Sequence, residues 1–191
     1  MDTPAEILEH LLEGNRRFAA GSGTGGWKPA PAGPQRPLAA VLGCADARVP
    51  VEVVFDQPPG ALFVVRVAGE VATPEVIASL EFAVETAGVR LIVVLGHGDC
   101  GAVQAALAER EQPGSVRSAN LRDLAARIAP ALAGIPAGDV DRAVRAQAAA
   151  ARRALLAGSA TLRRRATGPD GLLVVAAQYL LESGEVVQLD G

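Results

Sequence analysis

The sequence predicts an α/β fold: a mostly parallel central sheet of about four strands with a possible edge strand, helices on both faces and an N-terminal helical arm. Three observations lead there. Four short runs, 38–43, 62–67, 91–96 and 172–177, are dominated by Val, Leu and Ala with no polar alternation, the pattern of strands buried on both faces. Helical patterns at 74–87, 102–111, 116–132 and 140–157 lie between them, and this alternation packs helices over a parallel sheet. The chain has 191 residues, 50% hydrophobic and 20% charged, close to the expectation for one well-filled domain. Residues 1–191 are therefore read as one domain, with an arm and connection at 1–37 and an α/β core at 38–191.

In chain order, residues 4–20 place Ile7, Leu8, Leu11, Leu12 and Phe18 near helical spacing, with Thr3 as N-cap, Pro4 in the first turn and Gly21 past the end. This is an amphipathic arm. The stretch 21–37 is rich in Gly and Pro and carries Trp27, which predicts an irregular connection lying against other surfaces. The first strand, 38–43, runs into Cys44-Ala45-Asp46-Ala47-Arg48, and the third, 91–96, into His97-Gly98-Asp99-Cys100-Gly101. Open α/β sheets collect ligands beyond the carboxyl ends of their strands, so neighbouring strands would bring the two loops together. The tail, 184–189, follows a Glu182-Ser183-Gly184 turn signal and could add the edge strand.

Composition narrows the function. A net charge of −3 does not supply the concentrated basic surface that nucleic-acid binding needs, and the arginines at 152–153 and 163–165 read as solvated helix faces. The opening residues lack a basic region followed by an apolar one, and no apolar run is long enough to span a bilayer. The expectation is a cytoplasmic protein with no nucleic-acid or membrane partner. Its two cysteines should then be reduced thiols, better suited to a metal than to a disulfide.

Two thiolates and one imidazole, Cys44, His97 and Cys100, make three good zinc ligands and leave the fourth tetrahedral position for water or substrate. Asp46 and Arg48 follow two and four residues after the first ligand. An aspartate there can occupy the fourth position, or an arginine can hold it back as a hydrogen-bond acceptor; a guanidinium, always charged and able to grip a carboxylate at two points, suits the second role. Gly96, Gly98 and Gly101 also spell the dinucleotide fingerprint. That reading fails because it requires a second strand ending in an acidic residue roughly 20 residues on, whereas 102–111 is helical and leads to Pro113-Gly114.

The pair C-x-D-[SA]-R and H-x-x-C-G, together with Glu13–Phe18, Phe63–Arg66 with Ala68-Gly69, Ser79–Val84, Tyr179 and Gly184, resembles the β-class carbonic anhydrases. The resemblance implies one Zn2+ per chain on Cys44, His97 and Cys100, and reversible hydration of carbon dioxide to bicarbonate by a metal-bound hydroxide, gated by Asp46 and Arg48. It further implies that Gln35 donates a hydrogen bond to substrate, that the Gly101 backbone N–H lies near the substrate oxygen, and that Phe63, Ala68 and Phe82 line the carbon dioxide slot. Members of the family form a homodimer or dimer of dimers, with sites at the subunit boundary and the N-terminal helix draped over the partner. Here Glu70 stands where asparagine is common, Phe82 where some members have tyrosine, and Val41 where members with an inhibitory bicarbonate pocket carry tryptophan. The alternatives are a hydrolase of carbonyl sulfide or carbon disulfide on the same site, a noncatalytic zinc-stabilised interaction protein, and a thiol redox protein.

Overall fold

The computed structural model describes residues 3–24, 30, 32–168 and 171–189; Trp27 lies outside them. Among the described residues, five strands form one sheet: β1 (Ala39–Gly43), β2 (Leu62–Arg66), β3 (Leu91–His97), β4 (Leu173–Tyr179) and β5 (Val186–Leu189), in the order β2-β1-β3-β4-β5. The first four are parallel and β5 pairs antiparallel with β4. The unbroken apolar runs have the predicted cause in β1 and β3, where every residue is buried, and nearly so in β4; β2 is a correction, since only Leu62 is buried, the next three residues are partly exposed and Arg66 is exposed, as befits a strand at the edge of the sheet.

Alternate residues serve two layers. Val41, Leu91, Val93 and Leu95 face the arm α1 (Pro4–Ala19) and α2 (Val51–Val54), where Ile7, Leu11, Val54 and Phe55 meet them. Ala40, Leu42, Ile92 and Val94 face α3 (Pro74–Glu85), α6 (Val140–Gly158) and α7 (Ala160–Thr167) through Val76, Leu80, Leu155 and Leu162. A third apolar cluster closes over the carboxyl ends of the strands, where α4 (Gly101–Glu111) and α5 (Ala119–Ile128) bury Val103, Leu107 and Ile128 against Cys44 and Cys100.

One face of the arm packs on its own chain. Thr3 and Glu6 form a reciprocal capping box, and Gly14 allows α1 to lie against α2, since a Cβ there would fall 2.0 Å from the Phe55 carbonyl oxygen. Asn15 then ties three segments together: Nδ2 donates to the carbonyls of Val54 (3.0 Å) and Gly184 (2.7 Å), and Oδ1 accepts from Val186 N–H (2.7 Å). The stripe of Ile7 and Leu11 packs on the chain's own core, while Leu8 and Leu12 on the same helix are only partly buried.

Three elements differ from the sequence reading. One turn of helix, α2, is too short to show periodicity. The pattern 116–132 divides into α5 and a 3-10 turn, Ala129–Leu132, because Pro130 lacks the N–H that would continue the ladder. The helical run after 140 continues past a break at Ser159, whose side chain caps α7 by accepting from Leu162 N–H.

Candidate metal centre

The strand order creates the site. The chain leaves β1 toward β2 on one side and leaves β3 toward β4 on the other, so a crevice opens between the carboxyl ends of β1 and β3, the place where doubly wound sheets bind ligands. Cys44 follows β1, His97 ends β3, and Cys100 is the residue before α4.

Their ligand atoms all lie within 4.8 Å of one another, and all three residues are buried. The sulfurs are 3.9 Å apart and both cysteines are free. A disulfide needs about 2.05 Å, whereas two Zn–S bonds of about 2.3 Å at a tetrahedral angle put the sulfurs about 3.8 Å apart. The imidazole is pre-set for the same task. His97 Nδ1 lies 2.8 Å from the Gly98 carbonyl oxygen, which only accepts, so Nδ1 carries the proton and Nε2 presents its lone pair when the ring is neutral. Nε2 is buried and has no hydrogen-bond partner among the described residues. An orphaned acceptor beside two sulfurs is a costly arrangement without a cation, and the donor set fits zinc.

Electrostatics point the same way. The neighbouring Cys100 thiol, aided by His97 and the Gly69 N–H, outweighs burial and brings Cys44 down to about 4; Gly69 N lies 3.4 Å from Cys44 Sγ, in a left-handed conformation (φ 68°) natural to glycine. Cys100 is pushed up by the adjacent Cys44 thiolate and by burial. Burial alone would lower His97, but the Cys44 charge raises it.

Asp46 stands at the mouth, its Oδ2 3.9 Å from His97 Nε2. Arg48 holds it by Nε to Oδ1 (3.0 Å) and Nη2 to Oδ2 (2.8 Å), and its backbone N–H donates to Oδ1 (2.9 Å). These bonds, against some burial, keep the carboxyl well below the usual range. Arg66 steadies the loop from behind, donating Nε to the Cys44 carbonyl (2.9 Å) and Nη2 to the Asp46 carbonyl.

The residues expected around substrate fall into two groups. Ala68 precedes Gly69, whose N–H meets Cys44 Sγ, and Gly101 follows Cys100 at the start of α4. Gln35, Phe63 and Phe82 are elsewhere in the chain. Phe63 pairs with Ala40, four residues before Cys44, about 13 Å along the strand; its ring lies 6.2 Å from that of Phe82, and Phe82 shares a surface hollow with Gln35. Parallel register forces this separation, because residues at the start of β2 cannot reach the carboxyl end of β1. One slot lined by Phe63, Ala68 and Phe82 therefore does not exist within a single chain.

Four contributors escaped the sequence reading of roles: Arg66, Asp99, Gln104 and the buried acid Glu70. Glu70 is 1% exposed, and neither carboxyl oxygen has a hydrogen-bond partner among the described residues. Burial, reinforced by the Cys44 charge, pushes it well above the usual value. Its departure from asparagine was the available signal.

A family model described as carbonic anhydrase matches residues 39–186. Carbonic anhydrase 2 of Mycobacterium tuberculosis is 39% identical over 195 residues, covering 98% of this chain and 93% of that protein. A carbonic anhydrase of Mycolicibacterium smegmatis is 41% identical over 142 residues, 68% of this chain and 65% of that one. Among solved structures, the β-carbonic anhydrase CafA of Aspergillus fumigatus superposes with a TM-score of 0.68 at 26% identity, over 82% of this chain and 76% of that one. One of two tetrameric β-carbonic anhydrases of Sordaria macrospora gives 0.70 at 21% identity, over 96% and 91%.

Proposed function

The chain belongs to the β-class carbonic anhydrase family, and on that premise we propose that it interconverts carbon dioxide and bicarbonate at a zinc ion held by Cys44, His97 and Cys100. The observation that carries this reading is the buried, unpartnered Nε2 of His97 beside two sulfurs, with Asp46 restrained at its edge. Zinc bound there supplies a Lewis acid that brings a water molecule's ionisation toward neutrality.

The protein's own groups do the rest. Asp46, ionised and held by Arg48, has an oxygen facing the centre that can accept a hydrogen bond from water and orient it. Arg48 keeps that carboxylate from turning inward as a fourth ligand. Ala68 gives an apolar contact for carbon dioxide, and the start of α4 at Gly101 favours the anionic product. Gln35, Phe63 and Phe82, supplied by a second copy of the chain, complete the slot in a homodimer or a dimer of dimers; Phe82 is 47% exposed although aromatic. Among the described residues no helix is long and apolar enough to cross a membrane, and the free thiols suit the reducing cytoplasm.

The test is metal analysis of the purified protein alongside stopped-flow hydration of carbon dioxide and hydrolysis of carbonyl sulfide. The expected result is one zinc per chain and hydration as the faster reaction. Protein without stoichiometric zinc, or active only on the sulfur compound, overturns the reading.

A further inference from the structure

Arg48 grips two acids. On its far side Nη2 donates to the backbone carbonyl of Asp99 (3.1 Å) and Nη1 to Asp99 Oδ2 (3.3 Å), while its other edge holds Asp46. Asp99 reaches this position through a left-handed backbone, φ 53°, a conformation that aspartate enters more readily than most residues; the turn presents its carbonyl and its carboxylate to one guanidinium. The remaining oxygen, Oδ1, accepts from Gln104 Nε2 in the first turn of α4.

Arg48 is 48% exposed. A single solvent-exposed ion pair contributes little and leaves a long side chain free to swing away. Donors on three nitrogens, fixed from both sides, define the guanidinium plane instead.

We propose that Asp99 is a positioning residue for the reaction, with Gln104 supporting it: the two fix Arg48 so that Asp46 remains a hydrogen-bond acceptor facing His97 Nε2. The catalytic consequence rests on the function proposed above, but the clamp can be read without activity. The experiment follows hydrogen exchange of the Arg48 Nε–H by 15N NMR in the full-length protein, the resonance being assigned by its loss in Arg48→Lys.

Asp99→Gly keeps the left-handed backbone and removes the carboxylate; it should speed exchange about tenfold or more and lower kcat by about 10- to 100-fold with little change in KM. Gln104→Leu should act in the same direction but less. Asp99→Asn, which keeps an oxygen toward Nη1 and tolerates the backbone, should recover most of the protection. Unchanged exchange in both Asp99→Gly and Gln104→Leu overturns the proposal, as does an asparagine variant no better than glycine. Wild-type protein that shows the exchange pattern but no hydration refutes the functional reading and leaves the clamp standing.

Discussion

Cys44 and Cys100 are the same residue type 3.9 Å apart, yet one is driven toward the thiolate and the other away from it, because the first sulfur to ionise raises the cost of the second. A divalent cation between them removes that conflict. Replacing Cys100 by alanine should therefore abolish both zinc binding and hydration; elemental analysis showing full zinc retention would refute its ligand role. Glu70 gives a pH prediction with a definite sign. Its folded pKa is raised by burial and the Cys44 charge, so as pH rises the unfolded chain loses this proton first, near 4.3. Stability from this group is full below about pH 4.3 and falls above it, by about 1.4 kcal/mol per pH unit until the folded pKa is reached. Glu70→Gln cannot titrate, so its unfolding free energy relative to wild type should increase between pH 5 and pH 7 in urea denaturation. A difference that is constant with pH would rule this out.

Among the elements, the arm carries the clearest consequence. Three segments distant in sequence, α1, α2 and the turn before β5, meet at Asn15, which is 2% exposed. A second tie lies at the far end of α1: Arg17 Nε donates to Asp56 Oδ2 at 2.9 Å, and Thr24 donates its N–H and hydroxyl to Asp56 Oδ1, both at 2.8 Å. Burial would raise this carboxyl, but these partners together keep it below its ordinary value. Asn15→Ala removes three hydrogen bonds at once and leaves partly buried backbone groups unpaired, at a cost of about 3 kcal/mol. Urea unfolding should show that loss, with zinc content little changed because Asn15 ties α1 to α2 and the turn before β5 and takes no part in the cluster that α4 and α5 form over the strand ends. A loss below about 1 kcal/mol would mean that water replaces the contacts.

Over the whole molecule, chemistry is divided between the two ends of the parallel strands. The candidate metal ligands and Asp46 occupy the carboxyl end, while Gln35, Phe63 and Phe82 gather at the amino end. On the proposed function a second copy brings the groups together, so assembly and turnover should fail together. Phe82→Arg places a charge on an exposed aromatic surface without touching a ligand. Light scattering should report a smaller assembly, and hydration should fall at least tenfold while zinc content stays at the wild-type level. An unchanged assembly with full activity would place the interface elsewhere.

The chain by itself determined where the four parallel strands lie, because unbroken apolar runs mark them, although β2 keeps such a run with only Leu62 buried; it also singled out Cys44, His97 and Cys100, the group that comes together as a candidate metal site. The Asp46–Arg48 pairing was legible from spacing and donor geometry. Short elements such as α2 were not, because one turn has no period to detect. Nor was the burial of Glu70, which depends on what packs over residue 70 and not on its neighbours in sequence. The order β2-β1-β3-β4-β5 was decided only in three dimensions: strand adjacency is a long-range property, and it brings Cys44 to His97, turns Asp99 onto Arg48, and carries Phe63 away from the centre with which it was expected to act.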